Sequence, residues 1–454
     1  MKYTIFLTFI IFMIGCGKGF LDIKPVSNLV IPETVDDFEA LLDASTDLMN
    51  VNSSHALGLI GGDEFFVPDN LWNSPNQFGP PMYQRLAYIW KMENLYEPTD
   101  QDPDWNLAYK RILNTNVVLE GEEKYGNVNE HKWQVIKGRA LFFRALNYYQ
   151  LAQIFCKRYN SNSSRKDRGL PLKLTSDLKV KPNLSTVEDT YLQIERDVKD
   201  AIELLPQEEK ILQRPSKLAC YALLARMYLS QGRYEDALLY ANKLLAIKNE
   251  LFDFNDLDMS SNPWSSFAEI GNRHPEMILN IDMRSTVIAS YGYFNTDTTI
   301  YSLYEENDLR KEIYFMDYLG TCMFRGGYSG TGTFFSGFAT DEFYLIKAEI
   351  LSRFGNVKEA LNLLNFLRIK RFKKGSYIAL ESNNTEEVLK WVLRERQIEL
   401  FVRGVRWEDL KRLGNEMPNG IVIERMLNGE RYTAKIDGDF AWPFPRNVMD
   451  LGGY

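Results

Sequence analysis

The sequence predicts a mostly α-helical fold, in which helical repeats form a scaffold that carries two irregular, aromatic-rich surfaces. Three observations predict it. The first is an internal repeat: LLARMYLSQGRYEDALLYANKLL (Leu223 to Leu245) aligns with LIKAEILSRFGNVKEALNLLNFL (Leu345 to Leu367). The second is a series of apolar stripes at helical spacing. The third is a pair of stretches, about 55–81 and 251–337, where that spacing fades and Gly, Ser, Asn, Tyr and Phe accumulate. Long irregular inserts between helical units tend to be functional, and aromatics at this density argue against disorder.

The chain opens with Lys2 and an apolar run from Tyr3 to Ile14, broken at Gly15-Cys16. Such a run is shorter than the ~20 residues a membrane helix needs and has the layout of a cleavable signal peptide. Met13-Ile14-Gly15-Cys16 resembles a lipobox, so residues 1–15 are expected to be removed and Cys16 to become a lipidated N-terminus. A diacylated, N-acylated cysteine has enough methylenes to anchor stably. Residues 16–454 then form a single domain, its scaffold spanning about 82–250 and 338–415.

Within the scaffold, helices are expected from Trp105 to Leu119 and from Trp133 to Cys156. The polar segment Asn160 to Pro182, with Gly169-Leu170-Pro171 inside it, reads as a loop. Val187, Tyr191, Ile194, Val198, Ala201 and Leu205 form one apolar stripe, with Thr186 and Asp189 as a capping pair and Pro206 as a stop. Ser216 is positioned to cap the next helix, through Tyr228. In the repeat, Ala225 falls on Ala348, Gly232 on Gly355 and Ala237 on Ala360. Small residues where helices approach, and a glycine closing the first helix, are the layout of a tetratricopeptide helix-turn-helix unit. A last helix is expected from Glu386 to Val402.

Little in the sequence points to catalysis. His55, His131 and His274 are far apart and lack partners at metal-ligand spacing. Gly330-Thr331-Gly332 lacks the lysine and the strand–helix setting of a phosphate loop, and a hairpin turn is expected there. Glu395 and Glu399 lie one helical turn apart beside Arg394, Arg396 and Arg403, which predicts a structural ion-pair network rather than an acid–base pair. No enzyme activity, metal or cofactor is expected. The formal net charge of −8 argues against nucleic acid. Cys156, Cys220 and Cys322, an odd number, suggest no disulfide framework.

Several segments carry a family resemblance in order along the chain. CGKGFLDIKP (Cys16 to Pro25), GRALFFRALNYYQLAQIFC (Gly138 to Cys156), SKLACYALLARMYLSQGRYEDAL (Ser216 to Leu238), EFYLIKAEILSRFGNVKEALNLLNFLR (Glu342 to Arg368) and VLRERQIELFVRGVRWEDLKRLG (Val392 to Gly414) resemble signatures of SusD/RagB proteins. Trp442-Pro443-Phe444-Pro445 is similar to the closing, strand-like segment of that family. Gly17-Lys18-Gly19 stands where acidic residues are common in it, and Arg403 and Val405 replace a usual Glu and His.

The resemblance implies a tetratricopeptide-like superhelix with the irregular regions packed on one side. It also implies a lipid anchor in the outer membrane, capture of an oligosaccharide without catalysis, and a SusC-like TonB-dependent transporter as partner. Peptide capture, as in the RagB branch, is the alternative, followed by a lipid-anchored protein-binding scaffold. Sugars stack apolar C–H faces on aromatic rings while polar side chains collect hydroxyls. The candidate ligand residues are therefore Trp72, Asn73, Gln77, Tyr83 and Arg85 in the first irregular stretch, and Trp264, Tyr291, Tyr293 and Tyr328 in the second. Trp72 and Trp264 are expected to converge on one exposed face, whereas Trp90 and Trp105 read as core.

Overall fold

Helix periodicity and capping carry over directly into the computed structural model, which describes residues 32–44, 48–74, 79–100, 102–127, 129–258, 262, 264–284, 286–290, 294–318 and 320–454. The expected leader 1–15, Cys16, Gln77, Tyr291 and Tyr293 lie outside the described residues. The first part of the chain holds α1 (Val35–Leu42), α2 (Ala56–Gly61), β1 (Phe65–Phe66), α3 (Asp69–Trp72) and α4 (Met82–Tyr88). The scaffold begins with α5 (Pro103–Tyr125) and α6 (Glu130–Phe155), then β2 (Arg168–Pro171), β3 (Leu184–Thr186) and α7 (Val187–Leu204). The first repeat unit follows as α8 (Lys217–Gln231) and α9 (Tyr234–Leu245). Short elements occupy the irregular stretch: β4 (Met277–Leu279), β5 (Asn295–Thr296), α10 (Thr298–Tyr301), α11 (Arg310–Tyr314), β6 (Phe315–Tyr318), β7 (Thr321–Phe324) and β8 (Phe338–Ala339). The second repeat unit is α12 (Thr340–Arg353) and α13 (Val357–Arg368), after which come α14 (Thr385–Glu399) and α15 (Arg406–Gly414). A hairpin, β9 (Ile421–Leu427) and β10 (Glu430–Ile436), and α16 (Arg446–Gly452) complete the chain.

Consecutive scaffold helices pack as neighbours, α5 on α6, α6 on α7, α8 on α9, α12 on α13, and α12 also bridges α9 to α14. Ala225, Ala237, Ala348 and Ala360 are all 0% exposed, as the repeat requires where two helix backbones meet. Gly232 and Gly355 follow α8 and α12 at φ +76° and +80°, a left-handed turn that glycine adopts without steric cost. Asp102 caps α5 by accepting from Trp105 N at 3.1 Å, and Thr186 caps α7 by accepting from Asp189 N at 3.0 Å. Ser216 takes the N-cap position of α8 without a side-chain cap bond. Trp90 and Trp105 are buried, and Cys156, Cys220 and Cys322 are free thiols.

Three expectations are corrected. The helix expected to reach Val402 stops at Glu399, because Val402 and Gly404 take φ of +54° and +76° and turn the chain into α15. Trp442-Pro443-Phe444-Pro445 is not a strand. Its two prolines lack ladder donors, and Trp442 instead donates its N–H to Ile154 O at 3.0 Å and stacks on Trp407 at 5.9 Å. The glycines from 326 to 337 do close a turn, Gly330 N to Gly327 O at 3.0 Å, but the flanking strands pair elsewhere, β7 with β6 and β8 with β4.

Candidate functional site

The two irregular stretches meet on one side of the scaffold. Phe65 and Phe66 of β1 pair with Thr296 and Asn295 of β5. Asn295 Oδ1 in turn accepts from Cys322 N of β7 at 2.9 Å, and β7 pairs with β6 from Phe315↔Phe324 to Tyr318↔Thr321. β5 also packs against β7, so the separate two-stranded pairs β1–β5 and β6–β7 adjoin.

Along this surface are three features. At the β6 end, Trp264 is 46% exposed and meets the half-buried Tyr318 edge-on at 5.3 Å. Asn262 Oδ1 accepts from Trp264 N at 2.8 Å and fixes the turn that presents the ring. In the middle, a cavity of ≈ 70 Å³ opens between Phe294, Phe324 and Phe334. At the β1 end, a cleft of ≈ 590 Å³ runs between Phe66, Asp297 and Thr298 on one wall and Val422 and Glu424 of β9 on the other.

Of the described aromatic candidates picked out by sequence, Trp264 is the most exposed. Trp72, Asn73 and Arg85 do come together, but they are occupied with one another and with the β9–β10 turn. The Arg85 guanidinium lies over the Trp72 ring at 4.5 Å and donates to Trp72 O. Tyr88 packs on the same ring at 5.6 Å, and the Asn73 and Asn428 amides bond to each other at 2.5 and 3.0 Å. Trp72 and Trp264 have separate ring neighbours among the described residues, so the expected convergence of the two is not seen in their contacts.

Tyr83 and Tyr328 are corrected to core positions. Tyr83 is buried against Tyr96 at 6.0 Å with Gln84 Nε2 donating to its hydroxyl at 3.1 Å. Tyr328 is 1% exposed, stacks on His274 at 4.0 Å and donates to Asp341 Oδ2 at 3.1 Å. Gly79-Pro80-Pro81 concealed that a helix starts at Met82 and turns Tyr83 inward, and around Tyr328 an irregular backbone has no period that marks its inward face. Tyr318, missed at the sequence level, lies at the end of the four-residue strand β6, too short for its alternation to stand out.

The charged residues near this surface are tied into the core. Glu399 meets Arg310 at 2.6 Å and Arg371 at 2.7 Å, Glu395 meets Arg310 and Arg368, and Arg371 also meets Glu276 at 2.8 Å. The expected ion-pair network is present, with different partners. Arg396 pairs with Asp409, Arg403 with Asp341 at 3.0 Å, and Arg394 donates to Leu303 O. Burial pushes the Glu399 carboxyl up, but the charges of Arg371 and Arg310 outweigh it and leave it below the ordinary range. Glu276, Asp341 and Glu399 lie close enough to hold a metal ion, yet three arginines already supply the compensating charge. Burial likewise keeps His274 well below its usual value, hence neutral.

Two family descriptions match the chain: "Starch-binding associating with outer membrane" over residues 19–229 and "SusD family" over residues 340–445. A SusD-like protein P2 from Formosa agariphila is 24% identical over 408 residues, covering 75% of this chain and 76% of that one. Among solved structures, a SusD-like carbohydrate binding protein from Bacteroides vulgatus aligns with a TM-score of 0.66 at 20% identity, covering 93% of this chain and 97% of its own. A SusD superfamily protein from Bacteroides vulgatus aligns with a TM-score of 0.70 at 21% identity, covering 93% and 98%. At these identities the structures speak to fold, and the fold is shared over nearly the whole length. With the helical repeat, the irregular side and both family matches in register along the sequence, the chain belongs to the SusD/RagB family.

Proposed function

We propose that the protein captures a nutrient oligosaccharide at the cell surface, without altering it, and delivers it to a SusC-like TonB-dependent outer-membrane transporter. Membership of a family described as starch-binding and associated with the outer membrane supports this reading, as does the fold shared with a carbohydrate binding protein. The observation that carries it is the exposed Trp264 ring set edge-on to Tyr318 on the irregular side. An exposed indole stacks the C–H face of a sugar, and polar groups around it orient the hydroxyls. Binding without chemistry is supported by the arginine pairing of Glu276, Asp341, Glu395 and Glu399, which leaves that cluster no unpaired acid–base couple. The anchor in this reading is a lipid on Cys16, which holds the protein on the outer membrane facing outward. Among the described residues no helix is long and apolar enough to cross a membrane.

Calorimetric titration of the mature protein against a panel of glycans tests the proposal, with Trp264→Ala as the diagnostic variant. A glycan that binds the wild type and loses affinity in the variant is the expected result. Peptide capture is the second reading, favoured by the outer edge of β9 along the ≈ 590 Å³ cleft, where an extended chain could add as a strand. Peptides that bind when every glycan fails would put it in first place.

A further inference from the structure

We propose that the chain between β2 and β3, residues 172–183, is a docking loop that sets an apolar tip into an anionic lipid surface and so orients the anchored body. This rests on the lipid anchor of the reading above and adds a second membrane contact to it. Three apolar side chains within seven positions are exposed there: Leu174 at 46%, Leu178 at 79% and Val180 at 48%. Single exposed apolar residues are ordinary, but a cluster rimmed by polar groups marks a contact surface. This rim is basic. Lys173, Lys179 and Lys181 stand against one acid of the loop, Asp177, on a chain whose formal net charge is −8. Bonds within the loop hold the tip in shape. Lys173 Nζ donates to Asp177 O and Val180 O, and Asp177 Oδ1 accepts from Lys179 N at 2.9 Å. Val180 N donates to Asp177 O at 3.1 Å. Backbone groups already bonded in this way can approach hydrocarbon without giving up partners in water.

Position selects a membrane as the occupant. On its inner side the loop is fastened to α5: Asn116 Nδ2 donates to Lys173 O at 2.9 Å and to Thr175 O at 3.2 Å. Glu120 accepts from Thr175 Oγ1 at 2.8 Å and from Ser176 N at 2.7 Å. The described chain begins just before α1, whose Phe38 ring fills the space beside Gly121 of α5 and lies 6.0 Å from the Tyr125 ring. Glu120 and Gly121 are neighbours, so the start of the body and the loop share the C-terminal end of α5. Residues 17–31, between Cys16 and that start, reach at most about 50 Å even when fully extended. A lipid on Cys16 therefore tethers the molecule by this end. A tether limits distance and leaves orientation free. Leucine and valine entering the acyl boundary, with lysines at the headgroups, supply the contact that fixes it.

The test uses the chain from residue 16 onward with Cys16→Ser, so that no acyl chain contributes, and vesicles of phosphatidylcholine alone or mixed equally with phosphatidylglycerol. Co-sedimentation should show about 10-fold tighter binding to the anionic vesicles, the scale of two exposed lysines. Leu178→Asp combined with Val180→Asp should lower that binding about 10-fold or more, through loss of two apolar side chains from the lipid boundary, at an unchanged melting temperature. Ile378→Asp, which charges a still more exposed apolar residue between α13 and α14, should leave it unchanged. Absence of vesicle binding, or binding that the loop and Ile378 variants lower alike, overturns the inference. So does vesicle binding untouched by the loop variant while that variant releases the protein from a partner transporter, which would make the loop a protein contact. Fatty-acid labelling of Cys16 in the wild type tests the anchor separately. Vesicle binding without label removes the anchor and keeps the loop as a membrane contact, whereas label without vesicle binding keeps the anchor and removes the loop.

Discussion

Trp264 lies in a Ser-, Asn- and Pro-rich segment and Tyr328 in a Gly- and Ser-rich one, neither with a helical period, and the fold exposes the first and buries the second. Trp264→Ala should weaken oligosaccharide binding with little change in melting temperature, because a ring 46% exposed contributes little to the core. Tyr328→Ala should instead cost about 3–5 kcal/mol in chemical denaturation, the range for deleting a large buried aromatic, because it opens a cavity against His274 and removes a hydrogen bond to Asp341. Glu64 is a third informative residue. It is buried, accepts from Val402 N at 2.6 Å, and has its carboxyl pushed up to about 8, chiefly by burial. The folded state therefore holds the proton more firmly than the unfolded chain, whose carboxyl keeps the ordinary value of 4.5. This group's contribution to stability is fully present below that ordinary value and is lost as pH rises through about 8. Glu64→Gln keeps an acceptor for Val402 and does not titrate. Its stability relative to wild type should accordingly rise between pH 5 and pH 9 by more than about 2 kcal/mol, since each pH unit separating the folded and unfolded values is worth ~1.4 kcal/mol. A pH-independent difference in thermal melts would show that Glu64 is not titrating in the folded protein.

At the level of elements, the repeat and the hairpin show how far local pattern reaches. Ala237→Leu should cost about 1–3 kcal/mol, since Ala237 lies fully buried where α8 and α9 meet. An unchanged denaturation midpoint would mean the contact can open without penalty. The two repeat units were legible because small residues and a closing glycine recur at equal spacing, and helix contacts are local enough for spacing to specify them. The β9–β10 hairpin was not anticipated, although its signal was there. Asn428-Gly429 adopts φ of +54° and +79°, the left-handed pair of a tight hairpin turn, between strands paired in register from Ile421↔Ile436 to Leu427↔Glu430. A two-residue cue is faint beside the long helical periods that surround it.

Across the whole molecule, buried ion pairs join parts of the chain that are distant in sequence: Arg226 with Glu342, Arg412 with Glu349, Arg310 and Arg371 with Glu399. Glu399→Ala should destabilise by about 3–5 kcal/mol, because it removes the carboxylate that two buried guanidinium groups share. Glu399 has its folded value depressed, so its stabilisation is present above the ordinary carboxylate value and lost as pH falls toward the folded one. Acid unfolding of the wild type followed by circular dichroism should accordingly be steep below about pH 4. The sequence by itself determined the family, the helical scaffold, the capped start of α7, and the existence of aromatic-rich irregular stretches, because each is written in spacing between near neighbours. Only the tertiary structure decided which rings are available, which arginines answer Glu395 and Glu399, and that β1, β5, β7 and β6 assemble into one surface. Burial and ion pairing in an irregular backbone depend on residues tens to hundreds of positions away, and no local period records them.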